Sequence, residues 1–191
     1  MQDNSNLGIL HAEKAFAAAE GFFHSGHLLS DTISQWAGRK YSYLIPILPP
    51  STVLLLLALE IYLRCVRALS GLADSEETHL GRLYDSLPDS ERLRIERIFR
   101  EVASHDEMLK AIRKDSKRSA PKIKTTLHNA AHGLDEWMCW FDYSTDEGRP
   151  SGEHMGTLFI DTVVHALRRS ILEKKPEWTK HKLVDLRGED S

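Results

Sequence analysis

Apolar residues along most of this chain recur every three or four positions, a spacing that places them on one face of a helix. The longest such stretch, residues 52–70, is apolar around most of its circumference, so we predict that it is the central helix of the core. Ser51 occupies the position of its N-cap, and Gly71 the position of its C-terminus. No segment shows sustained period-two alternation. We therefore predict an all-α fold, a bundle of about five to seven helices.

The pattern predicts a single domain over residues 1–178, followed by a polar tail at 179–191. Within the domain we distinguish N-terminal helices (1–36), a linker rich in proline and tyrosine (37–50) and a core bundle (51–175). A break between the N-terminal helices is expected near Gly26, with His24 and His27 as surface or capping residues beside it.

Two further helices follow from the same periodicity. After Pro88, a helix is predicted from the spacing of Leu93, Ile95, Ile98, Phe99 and Val102. The last helix should cover residues 154–174, because Pro176 cannot continue it.

Composition narrows the class of protein. The 191 residues are 41% hydrophobic and 28% charged with a net charge of −3, which is ordinary for a globular protein. Cys65 and Cys139 each lie in an apolar, helix-like stretch without a second cysteine nearby, which rules out a disulfide scaffold or a zinc ribbon and fits a reducing compartment. The N-terminus does not resemble a signal peptide, and the longest uninterrupted apolar run, Val53–Leu59, is too short to cross a bilayer. We expect a cytoplasmic protein with no membrane partner.

Charge is distributed unevenly along the chain. Residues 92–124 hold 11 lysines and arginines against five acidic residues, whereas residues 125–161 hold one arginine against seven. Two solvated helix faces of opposite sign explain this distribution without a ligand. The alternatives are an acidic face that meets a second subunit, or a basic ridge that binds RNA. The candidate RNA contacts are Arg113, Lys114, Lys117 and Arg118.

The most specific pattern covers residues 51–99. It contains Ala58-Leu59-Glu60-Ile61-Tyr62-Leu63-Arg64, then Thr78-His79-Leu80-Gly81-Arg82-Leu83-Tyr84, then Leu87-Pro88. This stretch resembles the HEPN family, in which a helix of the form Ala-x-Glu-x-x-Leu-(Lys/Arg) leads to a His-x-Leu-x-x-Leu helix. The resemblance implies an α-helical bundle that forms a homodimer. It also implies a role in toxin, phage-defence or RNA-processing systems.

Active members of that family are metal-independent endoribonucleases. Their site is an arginine followed, after four to six residues, by a histidine near the start of the last main helix, paired across a dimer. Arg149 with His154 fits this pattern, as does Arg100 with His105 in an earlier element. Histidine can activate the 2′-hydroxyl of RNA, and arginine can stabilise the charged phosphorane. The function that we predict is a binding or regulatory module, linked to RNA or to a defence or toxin–antitoxin system. The alternatives are a metal-independent endoribonuclease with its site at Arg149 and His154, and a helical scaffold without an RNA role.

Two other groups of polar residues lie on predicted helices. Glu60 lies inside the most apolar helix, and because a buried carboxylate is costly unless paired, Arg64 one turn later should form a polar clamp with it. A catalytic role for Glu60 is the alternative. His128 and His132, four residues apart, could face one metal ion, although a polar helix face also explains them. We predict no metal and no cofactor.

Overall fold

The computed structural model describes residues 3–37, 48–105 and 156–181. Every regular element in these three ranges is helical, which confirms the all-α class. The elements are α1 (Asp3–Ala37), α2 (Leu48–Leu69), α3 (Leu80–Asp85), α4 (Asp89–His105), α5 (Gly156–Lys174) and a 3₁₀ helix, η1 (Pro176–His181). None of the helices in this part of the chain combines the length and apolar character needed to cross a bilayer.

α1 is one continuous helix, so the predicted break near Gly26 is wrong. Gly26 lies where α1 passes close to α2. A Cβ atom at this position would lie 2.9 Å from Leu55 Cγ and 3.2 Å from the carbonyl oxygen of Ser51. The glycine therefore serves the close approach of two helices. Inside a helix it costs only about 1 kcal/mol relative to alanine, which packing can offset.

α2 occupies the centre of the bundle and contacts α1, α3 and α5. Leu55, Leu59, Leu63 and Val66 are buried, and Ile61 is partly buried against the same core. These residues are the ones that the periodicity placed in the core, so the prediction of a central helix here is confirmed.

The start of α2 differs from the prediction, because the helix begins at Leu48 rather than after Ser51. Its first turn includes Pro49 and Pro50. Proline is tolerated there because the first N–H groups of a helix have no acceptor within it. Ser51 is consequently a buried residue of the first turn and not the N-cap.

The end of α2 is as predicted. Gly71 has a φ of +74°, in the left-handed region that favours glycine. Its N–H donates to the carbonyl of Ala68 at 3.0 Å, and the N–H of Leu72 donates to the carbonyl of Arg67 at 3.1 Å. This pair of hydrogen bonds is a Schellman motif, which satisfies carbonyls that the helix leaves open.

α4 and α5 close the other side of the bundle. Ile95, Ile98 and Phe99 of α4 are buried, whereas Leu93, predicted on the same face, is 68% exposed. Leu93 lies about 200° around the helix from Ile95 and therefore faces away from the core. α5 packs against both α2 and α4. Its buried residues include Val163, Leu167 and Ile171.

The C-terminal segment stays attached to the bundle beyond Trp178. The indole of Trp178 is buried, and its ring centroid lies 5.5 Å from that of Phe16. Lys180 Nζ and His181 Nε2 lie 2.7 Å and 2.9 Å from Glu13 Oε1 on α1. The first three residues assigned to a polar tail, 179–181, therefore belong to η1.

Candidate functional site

A network of polar side chains is buried where α1, α2 and α5 meet. Glu20 of α1 is 1% exposed, and both of its carboxylate oxygens accept hydrogen bonds from Arg168 of α5. The donors are Arg168 Nε and Nη2, each at 2.7 Å. The hydroxyl of Tyr62 on α2 donates to the same carboxylate. This bidentate arrangement is the geometry in which a buried ion pair offsets most of its desolvation cost.

The buried ion pair determines the protonation of its neighbours. Burial raises the pKa of Tyr62, and the negative charge of Glu20 raises it further, so the phenol remains a donor. Burial lowers the pKa of Arg168, but the hydrogen bonds and charge of Glu20 outweigh this effect and leave that pKa above its ordinary value. Arg168 is therefore a permanent cation whose charge Glu20 balances.

Three histidines contact the Phe23 ring beside the pair of Glu20 and Arg168. The Phe23 ring centroid lies 5.2 Å from that of His24, 4.4 Å from that of His27 and 5.1 Å from that of His165, in edge-on arrangements. The Arg168 guanidinium lies 5.3 Å from the same centroid. His24 and His27 are partly buried in the middle of α1, so the prediction that they are surface or capping residues is wrong.

Asp161 of α5 lies between two of the histidines. Its Oδ1 atom is 3.1 Å from His27 Nε2 and 3.7 Å from His165 Nε2. The shorter contact is not aligned as a hydrogen bond, so the buried His27 Nε2 has no aligned partner among the described residues. Such a nitrogen can accept a further ligand.

The protonation states of Asp161 and His165 suit a metal ion. Burial raises the pKa of Asp161, but the contact with His27 and the charge of His165 outweigh it, so the pKa is below its usual value. Burial lowers the pKa of His165, although Asp161 opposes this. Ionised carboxylate and neutral imidazole are the forms that bind metals. His27, Asp161 and His165 each place a ligand atom within 4.8 Å of the others.

A surface pocket of about 570 Å³ adjoins the cluster between α4 and α5. Val102 and Leu172 supply its apolar lining, and its polar lining is His165, Arg168, Arg169 and Glu173. His165 and Arg168 belong to both the cluster and the pocket. Because Arg168 is paired with Glu20, the groups of this lining that can bind an anionic group are the Arg169 guanidinium and the His165 imidazole.

Most of the residues predicted to act on RNA or metal lie outside the described residues. These are Arg113, Lys114, Lys117, Arg118, His128, His132, Arg149 and His154. Arg100 and His105 are described, and both are exposed on α4. Five residues along a helix place two side chains about 140° apart, so one chain does not bring this pair together.

The predicted clamp between Glu60 and Arg64 is present, but it is only partly buried. Arg64 donates to Glu60 Oε1 from Nε at 3.0 Å and from Nη2 at 2.8 Å. It also donates to the carbonyls of Ser75 and Glu77, and so ties α2 to the segment that precedes α3. Arg67, three residues further along α2, donates to the Ser86 hydroxyl and to the carbonyl of Ala73.

Sequence reasoning missed the cluster between α1 and α5. The available signals were local: Glu20 and His24 are four residues apart, as are Asp161 and His165. Neither spacing indicates that α1 packs beside α5. Glu20 did carry a local signal of burial, because it is the one charged residue in the apolar stretch 15–23, as Glu60 is in the apolar part of α2.

Fold and site together define an all-α bundle with a histidine, carboxylate and arginine cluster between α1 and α5. No family model, no curated protein and no solved structure matches the chain. The resemblance to the HEPN family stays a prediction.

Proposed function

We propose that the protein is a HEPN-like binding or regulatory module of an RNA-linked system, and that the pocket between α4 and α5 receives a phosphate group. The lining of this pocket by Arg168, Arg169 and His165 is the observation that carries the proposal. Guanidinium groups are frequent partners of phosphate because their planar fork matches two of its oxygens.

The ion pairs of Arg168 and Arg169 support a site at which a phosphate can replace a carboxylate. Arg168 is fully paired with Glu20, which balances its charge, so Arg169 is the arginine of the pocket lining that is available to a phosphate. Arg169 is 45% exposed and lies 3.1 Å from Glu101 and 3.3 Å from Glu173. Exposed ion pairs of this kind contribute at most about 1 kcal/mol, so a phosphate can replace these carboxylates as the partner of Arg169. Arg97 Nη2 lies 3.6 Å from Glu173 Oε2, and its positive charge partly balances the charge of that carboxylate.

The test is fluorescence anisotropy of labelled single-stranded RNA with the full chain over a series of salt concentrations. Arg169→Gln should lower affinity across RNA sequences and reduce the log–log salt slope by about 1. The matched control is Arg82→Gln, which removes an exposed arginine of α3 that is paired with Glu77, lies outside the basic segment 92–124 and is not part of the pocket lining. Equal affinity of the two variants and the native chain would contradict the pocket as the phosphate site.

The predicted basic ridge is tested separately in the same assay. Neutralising Arg113, Lys114, Lys117 and Arg118 together should reduce the salt slope by as much as about 3–4 if each contacts a phosphate. Binding that is unchanged by this variant and by salt would remove the ridge. No retention of RNA at low salt would leave the helical scaffold as the better proposal.

Cleavage tests the ribonuclease alternative. RNA products that form in EDTA and disappear with His154→Ala would identify a metal-independent endoribonuclease with its site at Arg149 and His154. Because that site is shared between two subunits, sedimentation should also report twice the 21.7 kDa chain mass. A monomer that persists at high protein concentration would contradict the composite site.

A further inference from the structure

We infer that His27, Asp161 and His165 bind a divalent transition-metal ion, and that the ion joins α1 to α5. Asp161 Oδ1 lies 3.1 Å from His27 Nε2 and 3.7 Å from His165 Nε2. In a tetrahedral site with bonds of about 2.0–2.1 Å, neighbouring ligand atoms are about 3.4 Å apart. The two separations bracket this value. The three ligand atoms all lie within 4.8 Å of one another, so a small side-chain rotation closes the set.

The helices hold these three side chains in place before an ion binds. Asp161 and His165 are four residues apart on α5 and therefore share one face of the helix. His27 comes from α1, and the rings of His27 and His165 are both packed edge-on against Phe23. Ligands from two helices braced by a common aromatic ring form a site that needs little reorganisation.

The donor set selects the kind of ion. Two imidazoles and one carboxylate suit Zn²⁺ and its neighbours in the first transition row, whereas Mg²⁺ and Ca²⁺ prefer oxygen ligands alone. Three protein ligands leave a fourth position for water or another small ligand. Asp161 and His165 are 53% and 42% exposed, so an ion can approach from their side, whereas the buried Nε2 of His27 forms the inner side of the site.

The surrounding charges permit a cation here. Arg168 is the neighbouring cation, and an unpaired arginine would repel a metal ion. Its guanidinium forms a bidentate pair with Glu20, so the two together add no net charge. Asp161 then supplies the negative charge that the metal ion needs.

The test uses Zn²⁺ alone, titrated calorimetrically into the full chain after treatment with EDTA and dialysis. One ion per chain should bind. His27→Asn and His165→Asn should each weaken binding by at least about 100-fold, since removal of an outer partner alone costs 10–100-fold. The matched control is His24→Asn, which removes a histidine that also contacts Phe23 but is outside the ligand set. Its affinity for Zn²⁺ should equal that of the native chain.

Two further measurements separate this site from other histidines and from misfolding. A double variant, His128→Asn with His132→Asn, should retain the Zn²⁺ affinity of the native chain. Circular dichroism in EDTA should show native helix content for all variants. Zn²⁺ binding that survives in folded His27→Asn and His165→Asn, or that the double variant abolishes, would overturn the inference. No RNA is used, so these outcomes are independent of the proposed RNA-linked function.

Discussion

Two carboxylate–arginine pairs in this protein illustrate opposite ways of using the same chemistry. Glu60 and Arg64 lie one turn apart on α2, and both side chains are about a quarter exposed. Glu20 and Arg168 are 148 residues apart in sequence and meet because α1 packs near α5. Their side chains are 1% and 15% exposed. If Glu60 or Arg64 is removed, water can solvate the charge that remains. If Glu20 or Arg168 is removed, the remaining charge is buried and has no solvent to stabilise it.

The difference concerns specificity more than net stability. A buried ion pair contributes little beyond what apolar residues of the same shape would contribute, but an unmatched buried charge is strongly penalised. Arrangements that separate Glu20 from Arg168 are therefore disfavoured. We interpret the buried pair as a determinant of how α1 and α5 are aligned, and the exposed pair as a local tie between α2 and the following loop.

The largest expected effect comes from breaking the buried pair. Arg168→Met should lower the free energy of unfolding by about 3–5 kcal/mol, because Glu20 is left buried without its counter-ion. Urea denaturation of the purified variant measures this change. Arg169→Met is the control, since that neighbouring arginine is exposed and its loss should cost under about 1 kcal/mol.

A double variant separates charge from packing in the same experiment. Glu20→Gln combined with Arg168→Met removes both charges and keeps an acceptor for the Tyr62 hydroxyl. It should recover most of the stability lost in Arg168→Met alone. If the double variant is as unstable as the single one, the loss reflects packing of the long arginine side chain.

A second, smaller effect tests how closely α1 is held against α2, the contact that brings Glu20 to Tyr62. Gly26→Ala should destabilise the fold by about 1–2 kcal/mol, because crowding against Leu55 and Ser51 exceeds the gain in helix propensity. Gly21→Ala, in the same helix with open space around it, should stabilise the fold by about 0.5–1 kcal/mol. Thermal denaturation distinguishes the two signs, and a stabilising Gly26→Ala would show that the helices are free to separate.

Variants of the partly exposed pair of Glu60 and Arg64 should lose less stability, and the loss should differ between the two partners. Glu60→Ala should cost under about 1 kcal/mol, as is usual for a partly exposed i,i+4 pair. Arg64→Ala should cost about 1–2 kcal/mol, because Arg64 also donates to the carbonyls of Ser75 and Glu77. Equal losses in urea denaturation would mean that these two loop hydrogen bonds contribute nothing.

Sequence reasoning succeeded where the determining interaction is local. The pairing of Glu60 with Arg64 follows from helical geometry, and Gly71 follows from the backbone conformation that ends a helix. The core positions of α2 follow from periodicity because a helix that is apolar on most sides has to be central.

It failed where the determining interaction is distant. Gly26 has the same local signal whether it breaks a helix or lets a second helix approach, and only the position of Leu55 decides between them. The apolar stretch around Glu20 indicates burial but does not identify Arg168 as its partner, and the partner of His27 likewise lies on a helix far away in sequence. Spacing along one helix could not have predicted the cluster.

The smallest expected effect is a pH dependence of the free energy of unfolding. It should come from the histidines beside the buried pair of Glu20 and Arg168. Burial lowers the pKa of His24 and of His165, against the opposing charges of Glu20 and Asp161 and with the help of Arg168. A lowered pKa means that the unfolded chain takes up protons, as pH falls below about 6.5, before the folded chain does. The free energy of unfolding should therefore be highest above that pH. It should decrease as the pH falls toward the lowered pKa values that His24 and His165 have in the folded chain. Because both rings keep contact with water, the decline should be smaller than the loss caused by Arg168→Met.

Urea denaturation in EDTA at pH 7.5 and 5.5 measures this decline. The variants His24→Gln and His165→Gln should each reduce the difference between the two pH values. A decline that persists in both histidine variants would assign it to other groups.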